Sequence, residues 1–402
     1  MISIDEQLAA LSRRTERIVP EADLRAKLER SAKTGKPLRI KLGMDPTAPD
    51  VHFGHAVPLK VVRQFQDWGH KAVLIIGDYT ARVGDPSGRN TTRPVLSGEE
   101  IDANAKTYIA QVGKILLSDA AHLEFRYNGE WFGTMNLLDV LQLTSKKSVA
   151  QMLERDEFKK RYAAGTDIRI HEFLYPLMQG WDSVMIGADV EMGGSDQLFN
   201  NLVGRDLQAD AGKSGQAVIV TPLLVGTDGV KKMSKALKNY IGVADPASGP
   251  SGMFGKIMSL PDALMESYYT LLTDLPMGPV KEQIQRSPRD AKIALAKHVI
   301  TWLHNAEAAN SAEADFVAQF VKHEAPQEMP EFGVGDLGPG PHKLPVLLVR
   351  AGLAVSNGEG TRKIKEGAVS VDGEKVTDFQ KCLTIDKATV LKLGRKYARI
   401  LP

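Results

Sequence analysis

Apolar positions recur at helical spacing over Ile4 to Arg17 and Glu21 to Lys33, among good helix formers, so the chain is expected to open with two helices. Leu38 to Met44 and Ala72 to Gly77 are short apolar runs that read as buried strands, and Val57 to Trp68 between them has helical period. Together they predict one βαβ unit with parallel pairing. A Gly/Pro-rich loop comes next, from Asp78 to Pro94. Ser97 with Glu100 three residues on matches a capping box and starts a helix expected to reach about Leu116. Leu123 to Tyr127, Ala188 to Met192 and Ala217 to Thr221 read as further strands, with a helix from Asp196 to Ala209 between the last two. Strands alternating with helices in this way predict an α/β fold, a doubly wound, Rossmann-like parallel sheet.

The pattern changes after Asp245. Gly249-Pro250-Ser251-Gly252 punctuates the chain, and the residues beyond it have helical period to about Glu324. Ala325 to Pro345 is rich in proline and glycine and reads as a linker. The last segment is small: helices near Lys343 to Ala351 and Gly360 to Glu366, then a hairpin turning on Asp372-Gly373 between Val369-Ser370-Val371 and Lys375-Val376. The expected domains are therefore 1–245, a helical domain over 246–325, a linker over 326–342 and an α+β module over 343–402.

A chain of 402 residues suits two or three domains, and its ordinary composition excludes a disordered, collagen-like or disulfide-built protein. The single Cys382 allows neither an internal disulfide nor a cysteine-based zinc cluster, which fits a reducing compartment. Met1 to Gln7 has no signal-peptide pattern and no apolar run is long enough to span a bilayer, so a cytoplasmic location without membrane contact is expected. The net charge is only +2, but Lys343 to Pro402 carries twelve Lys/Arg against six Asp/Glu. A basic tail segment on a mildly acidic body suits a nucleic-acid-binding appendage, and equally a solvated charged face.

Chemistry concentrates where the first strand ends. Asp45-Pro46-Thr47-Ala48-Pro49-Asp50-Val51-His52-Phe53-Gly54-His55 lies between that strand and the helix containing Pro58, the position at which open α/β sheets bind ligands. A helix N-terminus there offers free amides to phosphate, Gly54 permits close backbone approach, and His52 and His55 share one face of the first turn. The two histidines would also suit a metal pair, although no His-Glu-x-x-His spacing accompanies them, or a polar helix entry. Lys231-Lys232-Met233-Ser234-Lys235 supplies mobile point charges able to reach a triphosphate, or else forms a solvated basic loop. Tyr175, Gln179 and Asp182 would share one helix face, as a binding surface or as an ordinary polar face.

In this order and this fold, the His52 turn and the lysine loop resemble the HIGH and KMSKS signatures of class I aminoacyl-tRNA synthetases. Further segments look specifically like those of bacterial tyrosyl-tRNA synthetases: Gly43-Met44-Asp45-Pro46-Thr47-Ala48, Ile76-Gly77-Asp78, Gly84-Asp85-Pro86-Ser87-Gly88-Arg89, Gln179-Gly180-Trp181-Asp182 and Gly193-Gly194-Ser195-Asp196-Gln197. The resemblance covers the whole chain and implies a tyrosine–tRNA ligase that makes tyrosyl-adenylate from L-tyrosine and ATP with Mg2+, then charges tRNA(Tyr). It further implies a Rossmann-like catalytic domain with an inserted dimerisation region, a helical anticodon-binding domain, an S4-like RNA-binding domain and a homodimer.

By the same resemblance, Asp85, Tyr175 and Gln179 would hold the tyrosine ammonium and Asp182 its phenol hydroxyl, chemistry that suits a carboxylate acceptor. Gly43, Asp45, Gly54, Gly194, Asp196 and Gln197 would line the adenosine and adenylate side, with Thr47, His52, His55, Lys232 and Lys235 around the phosphates. Gln197 would also meet the tyrosine. Arg89 and Arg93 match basic positions of a loop that closes on pyrophosphate, and Asn128 and Trp131 match positions associated with the tRNA acceptor end. Lys41 stands where many relatives carry a tyrosine, and is expected to donate to the phenol oxygen or to pair with Asp182. Ala236 replaces the usual hydroxyl residue ending the lysine motif. Two other readings share these features: a tryptophanyl-type synthetase, and an RNA-binding paralogue without activation chemistry.

Overall fold

The computed structural model describes residues 2–86, 97–249, 251–320, 329–338, 340–394 and 396–402. The chain divides into two compact units, residues 1–245 with 256–303, and residues 246–255 with 304–402.

In the first unit a six-stranded sheet forms from β1 (Arg17–Val19), β2 (Arg39–Met44), β3 (Lys71–Ile76), β4 (Leu123–Tyr127), β5 (Val190–Gly194) and β6 (Ala217–Thr221), in the order β1-β6-β5-β2-β3-β4. All pairs are parallel except β1 with β6. β3 and β6 are apolar runs buried throughout or nearly so, as strands covered on both faces must be. The chain moves outward from β2 through β3 to β4, then returns to the other side of β2 for β5 and β6. The strand order therefore reverses between β2 and β5, and a crevice opens beyond their C-terminal ends.

Helix Ile4–Ser12 is shorter than the spacing suggests. Arg14 is withdrawn into the interior, where its guanidinium donates to the carbonyl oxygens of Leu271 and Thr273, and the β-branched Ile18-Val19 then pairs with β6. The helix following β2 begins at Phe53, four residues before the expected start, and runs to Asp67. Its first amide, that of Phe53, donates to Ile241 O, and Val243 donates to Val51 O. Two strands of loop, far apart in sequence, are thus zipped together at the helix entrance. Leu137–Thr144, Asp156–Ala163 and Leu174–Ile186 are helices in a stretch where the apolar period is too interrupted to locate all of them. Helices Met265–Leu272, Met277–Arg286 and Pro288–Leu303 match the helical period read after Asp245.

The second unit contains helix Ala306–Phe320 and a five-stranded sheet ordered Glu374–Val376, Val369–Val371, Thr389–Leu393, Lys396–Leu401, Glu331–Gly333. Helices Leu344–Arg350 and Asn357–Lys365 add Leu344, Leu347, Leu348 and Ile364 to its own hydrophobic core. The expected hairpin is present. Asp372 (φ 47°) and Gly373 (φ 86°) both occupy the left-handed region that a two-residue turn between twisted strands requires. The edge strand Glu331–Gly333 comes from the Pro/Gly-rich stretch and pairs in parallel with Lys396–Leu401.

Candidate active site

At the switch point lies a cavity of about 670 Å³, bounded by the ends of β2 and β5, the entrance of the Phe53–Asp67 helix, the Leu174–Ile186 helix and the lysine loop. Gly43, Asp45, Thr47, His52, Gly54 and His55 line it from the β2 side, and Gly194, Asp196 and Gln197 from the β5 side. Tyr175, Gln179, Asp182 and Asp85 contribute from a third direction, Lys232 and Lys235 from a fourth. The sequence scatters these residues over almost two hundred positions and the fold gathers them round one space. Arg89 and Arg93 lie outside the described residues. Lys41 does not reach the cavity.

The histidine turn is tightly built. The His52 and His55 rings stack with centroids 3.8 Å apart, and a Cβ on Gly54 would stand 2.9 Å from His52 Cε1. Burial, with the charges of Lys235 and Lys232 nearby, lowers the His52 pKa to about 3, and burial with His52 and Lys235 also pulls His55 far down. Both imidazoles are neutral at physiological pH. The His52 amide donates to His55 Nδ1 (3.2 Å), so the His55 proton is held on Nε2 and is available to an acceptor. Gly54→Ala is expected to displace the His52 ring and lower kcat/KM for ATP by about 10²-fold while the melting temperature stays near native, measured by steady-state activation kinetics.

The lysine loop is organised by Asn239, a buried residue that motif reading passes over. Its Nδ2 donates to Asp228 Oδ2 (2.8 Å) and to the Lys232 carbonyl (3.2 Å), and its Oδ1 accepts from the Ser234 amide (2.8 Å). So held, Lys232 pairs with Asp196 at 2.7 Å. Lys235 Nζ donates to Asp50 O and to the Tyr108 hydroxyl, each at 2.7 Å. Both ammonium groups sit at the cavity wall beside the histidines. Tyr108 is a second residue without a sequence signal, since it lies within a helix with no motif around it.

On the opposite side a chain of hydrogen bonds links the polar residues. The Tyr175 hydroxyl donates to Asp45 Oδ2 (2.9 Å), and Asp45 Oδ1 accepts from Thr80 Oγ1 (2.8 Å). A Cβ on Gly77 would collide with Asp45 Oδ1, so this junction needs glycine. Thr80 in turn accepts from Asn128 Nδ2 (3.0 Å). Asp182, only 3 % exposed, accepts from Trp131 Nε1 (3.0 Å) and Asn128 Nδ2 (3.4 Å). Burial raises its pKa to about 7 against the opposing effects of Lys41 and these donors. Gln197 Nε2 donates to Asp85 Oδ2 (2.9 Å), whose other oxygen faces Arg155 at 3.4 Å.

One expectation needs correction: Lys41 does not line the cavity and does not pair with Asp182. Its ammonium, fully buried, donates to Gln179 O (2.6 Å), Ser183 Oγ (2.7 Å) and Glu191 Oε1 (2.8 Å), which uses all three of its protons. Asn128, which lines the cavity, and Trp131 are both buried and both donate to Asp182.

Residues 33–321 match the model of the class I tRNA synthetases (W and Y), and residues 322–398 match the tyrosine–tRNA ligase SYY-like C-terminal domain. The chain is 49 % identical to tyrosine–tRNA ligase 2 of Vibrio parahaemolyticus, over 100 % of this chain and 99 % of that protein. It is 46 % identical to the tyrosine–tRNA ligase of Moorella thermoacetica, over 99 % and 96 %. Among solved structures, a C-terminally truncated mitochondrial tyrosyl-tRNA synthetase of Aspergillus nidulans superposes with a TM-score of 0.65 at 25 % identity, covering 80 % of this chain and 95 % of that one. Signature motifs, sheet order and sequence identity along the whole chain agree, and the chain belongs to the class I tRNA synthetases of the tryptophan and tyrosine group.

Proposed function

We propose that the chain is a tyrosine–tRNA ligase: it activates L-tyrosine with ATP and transfers the tyrosyl group to the 3′ end of tRNA(Tyr). The observation that carries the tyrosine reading is Asp182, an acidic side chain at the wall of a cavity whose opposite side holds two neutral histidines and two lysines. A phenol in that cavity donates its proton to the carboxylate, which Trp131 and Asn128 hold in place. A tryptophan side chain would offer an indole N–H on a larger frame, and the full-length relatives bear tyrosine names.

The substrate ammonium is bound by Asp85, Tyr175 and Gln179, with Gln197 bracing Asp85. Adenosine lies along Gly43, Asp45, Gly54, Gly194 and Asp196. A Cβ at Gly43 would find nothing within 4 Å, so that strand end leaves open space above its backbone for a ligand. The tyrosine carboxylate, ionised at neutral pH, attacks the α-phosphorus and pyrophosphate leaves, so no general base is needed. His55 donates from Nε2, and His52, Thr47, Lys232 and Lys235 gather round the phosphates, where charge builds as the bond to the leaving group breaks. Arg89 and Arg93 would add positive charge toward the pyrophosphate, as the resemblance implies. Among the described residues no group of three or more His, Cys, Asp or Glu side chains could cage a metal. Mg2+ would come with the triphosphate and spread its charge. The terminal ribose hydroxyl of the tRNA then attacks the adenylate carbonyl.

The helices of 246–325 receive the anticodon and the basic module of 343–402 grips RNA in the manner of S4. The enzyme works in the cytoplasm, where its substrates are, and no described helix is long and apolar enough to cross a membrane. It acts as a homodimer. Leu137, Leu138, Leu141, Val149 and Ile170 all lie exposed in the segment inserted between β4 and β5, large apolar side chains suited to a contact with a second subunit. Changing both Leu138 and Leu141 to Glu is expected to convert the dimer into a folded monomer in sedimentation and to lower tRNA charging. The function itself is tested by charging purified tRNA(Tyr) with labelled tyrosine; charging with tryptophan in its place would refute it.

A further inference from the structure

Behind the amino-acid side of the cavity lies an ion pair with no solvent contact on either side. Lys41 on β2 and Glu191 on β5 meet at 2.8 Å, and both side chains are 0 % exposed. Burying two charges is costly, and replacing such a pair with apolar residues of similar size is often neutral or stabilising, so stability alone does not account for it. The contacts of the pair are specific. The Lys41 ammonium donates to the Gln179 carbonyl, on the turn before Asp182, and to Ser183 Oγ, on the residue after it. Glu191 accepts from Gln179 Nε2 (3.3 Å), Ser183 Oγ (3.0 Å) and Gln216 Nε2. The pair is thus bonded to the backbone and side chains on both sides of Asp182, on the helix turn that carries the amino-acid contacts.

We propose that Lys41, through its ion pair with Glu191, is a positioning residue for amino-acid selection, fixing the turn that carries Gln179 and Asp182 and keeping the Asp182 carboxylate available to the substrate hydroxyl. This rests on Asp182 being the acceptor of the phenol. The charged groups acting on Asp182 are Lys41 from β2, which favours its ionised form, and Glu191 from β5, which opposes it less strongly. Asn128 and Trp131 add neutral donors, and Asp45 and Tyr175 join the same cluster through Thr80. The pair as a whole therefore favours the carboxylate, whose ionisation lies near pH 7 and so within the working range.

The test compares the pH dependence of kcat/KM for tyrosine, from about pH 5.5 to about 9.5, in the native full-length enzyme, Lys41→Met, the double variant Lys41→Met with Glu191→Gln, and Asp182→Asn. The double variant leaves no unpaired buried charge, so it keeps the fold if the single variant does not. The native profile is expected to fall on the acid side of pH 7. In the double variant that limb moves to higher pH by about one unit, giving roughly tenfold lower kcat/KM near pH 6, with the curves converging above about pH 9 and KM for ATP unchanged. A limb at the native position, an equal loss at every pH, or no acid limb in the native enzyme overturns the proposal. An Asp182→Asn variant that retains the native limb and tyrosine preference refutes instead the reading of Asp182 itself.

Discussion

Replacing Lys235 with Ala is expected to slow tyrosyl-adenylate formation by about 10²- to 10³-fold in pre-steady-state measurements, with the tyrosine dissociation constant changed by no more than about twofold. The split follows from where the ammonium sits. Lys235 Nζ is held by the Asp50 carbonyl and the Tyr108 hydroxyl at the phosphate side of the cavity, whereas Asp182 lies on the side formed by the Leu174–Ile186 helix. It can exchange the neutral oxygens of Asp50 and Tyr108 for a developing pyrophosphate charge, because a bond between two ionised groups then replaces bonds from the ammonium to neutral acceptors. An interaction made mainly in the transition state alters the rate and leaves ground-state binding almost untouched. An unchanged activation rate would remove Lys235 from the chemistry.

The second large effect belongs to Asp182. In Asp182→Ala the phenol loses an ionised acceptor, a bond worth about 1.5–3 kcal/mol, and Trp131 Nε1 and Asn128 Nδ2 lose the partner that now satisfies them. kcat/KM for tyrosine should drop by roughly 10²-fold and the preference for tyrosine over phenylalanine by a similar factor. KM for ATP should stay within a few-fold, because the contacts proposed for the nucleotide lie on β2, β5 and the lysine loop, which line the cavity away from Asp182. The sign of the pH effect follows from the same group. Its pKa is raised to about 7, so protons fill the acceptor as pH falls below that value, and activity on tyrosine declines in acid. With alanine at 182 that decline disappears. A variant that still selects tyrosine over phenylalanine as the native enzyme does would contradict the assignment.

Much of this site is legible in the sequence because its backbone requirements are local. The end of β2, the glycine between two histidines and the loop lysines each carry their signal within about ten residues, and the switch-point geometry follows from strands alternating with helices. Lys41 cannot be read in this way. A lysine in an apolar strand says nothing of Glu191, 150 positions later and fixed only by the pairing of β2 with β5. Asn239 and Tyr108 are hidden for the same reason, since both act through partners distant in the chain or through backbone groups. The start of the Phe53–Asp67 helix is misplaced from the sequence because Pro58 suggests a first turn. The pairing of Phe53 with Ile241 begins the helix earlier and leaves the proline in its second turn.

The central claim is that one cavity joins tyrosine recognition to ATP activation, and amino-acid-dependent ATP–pyrophosphate exchange with tyrosine, tryptophan and phenylalanine tests it most directly. Rapid exchange with tyrosine, and rates with the other two lower by several orders of magnitude, is the predicted result; exchange driven by tryptophan, or by no amino acid, would contradict it.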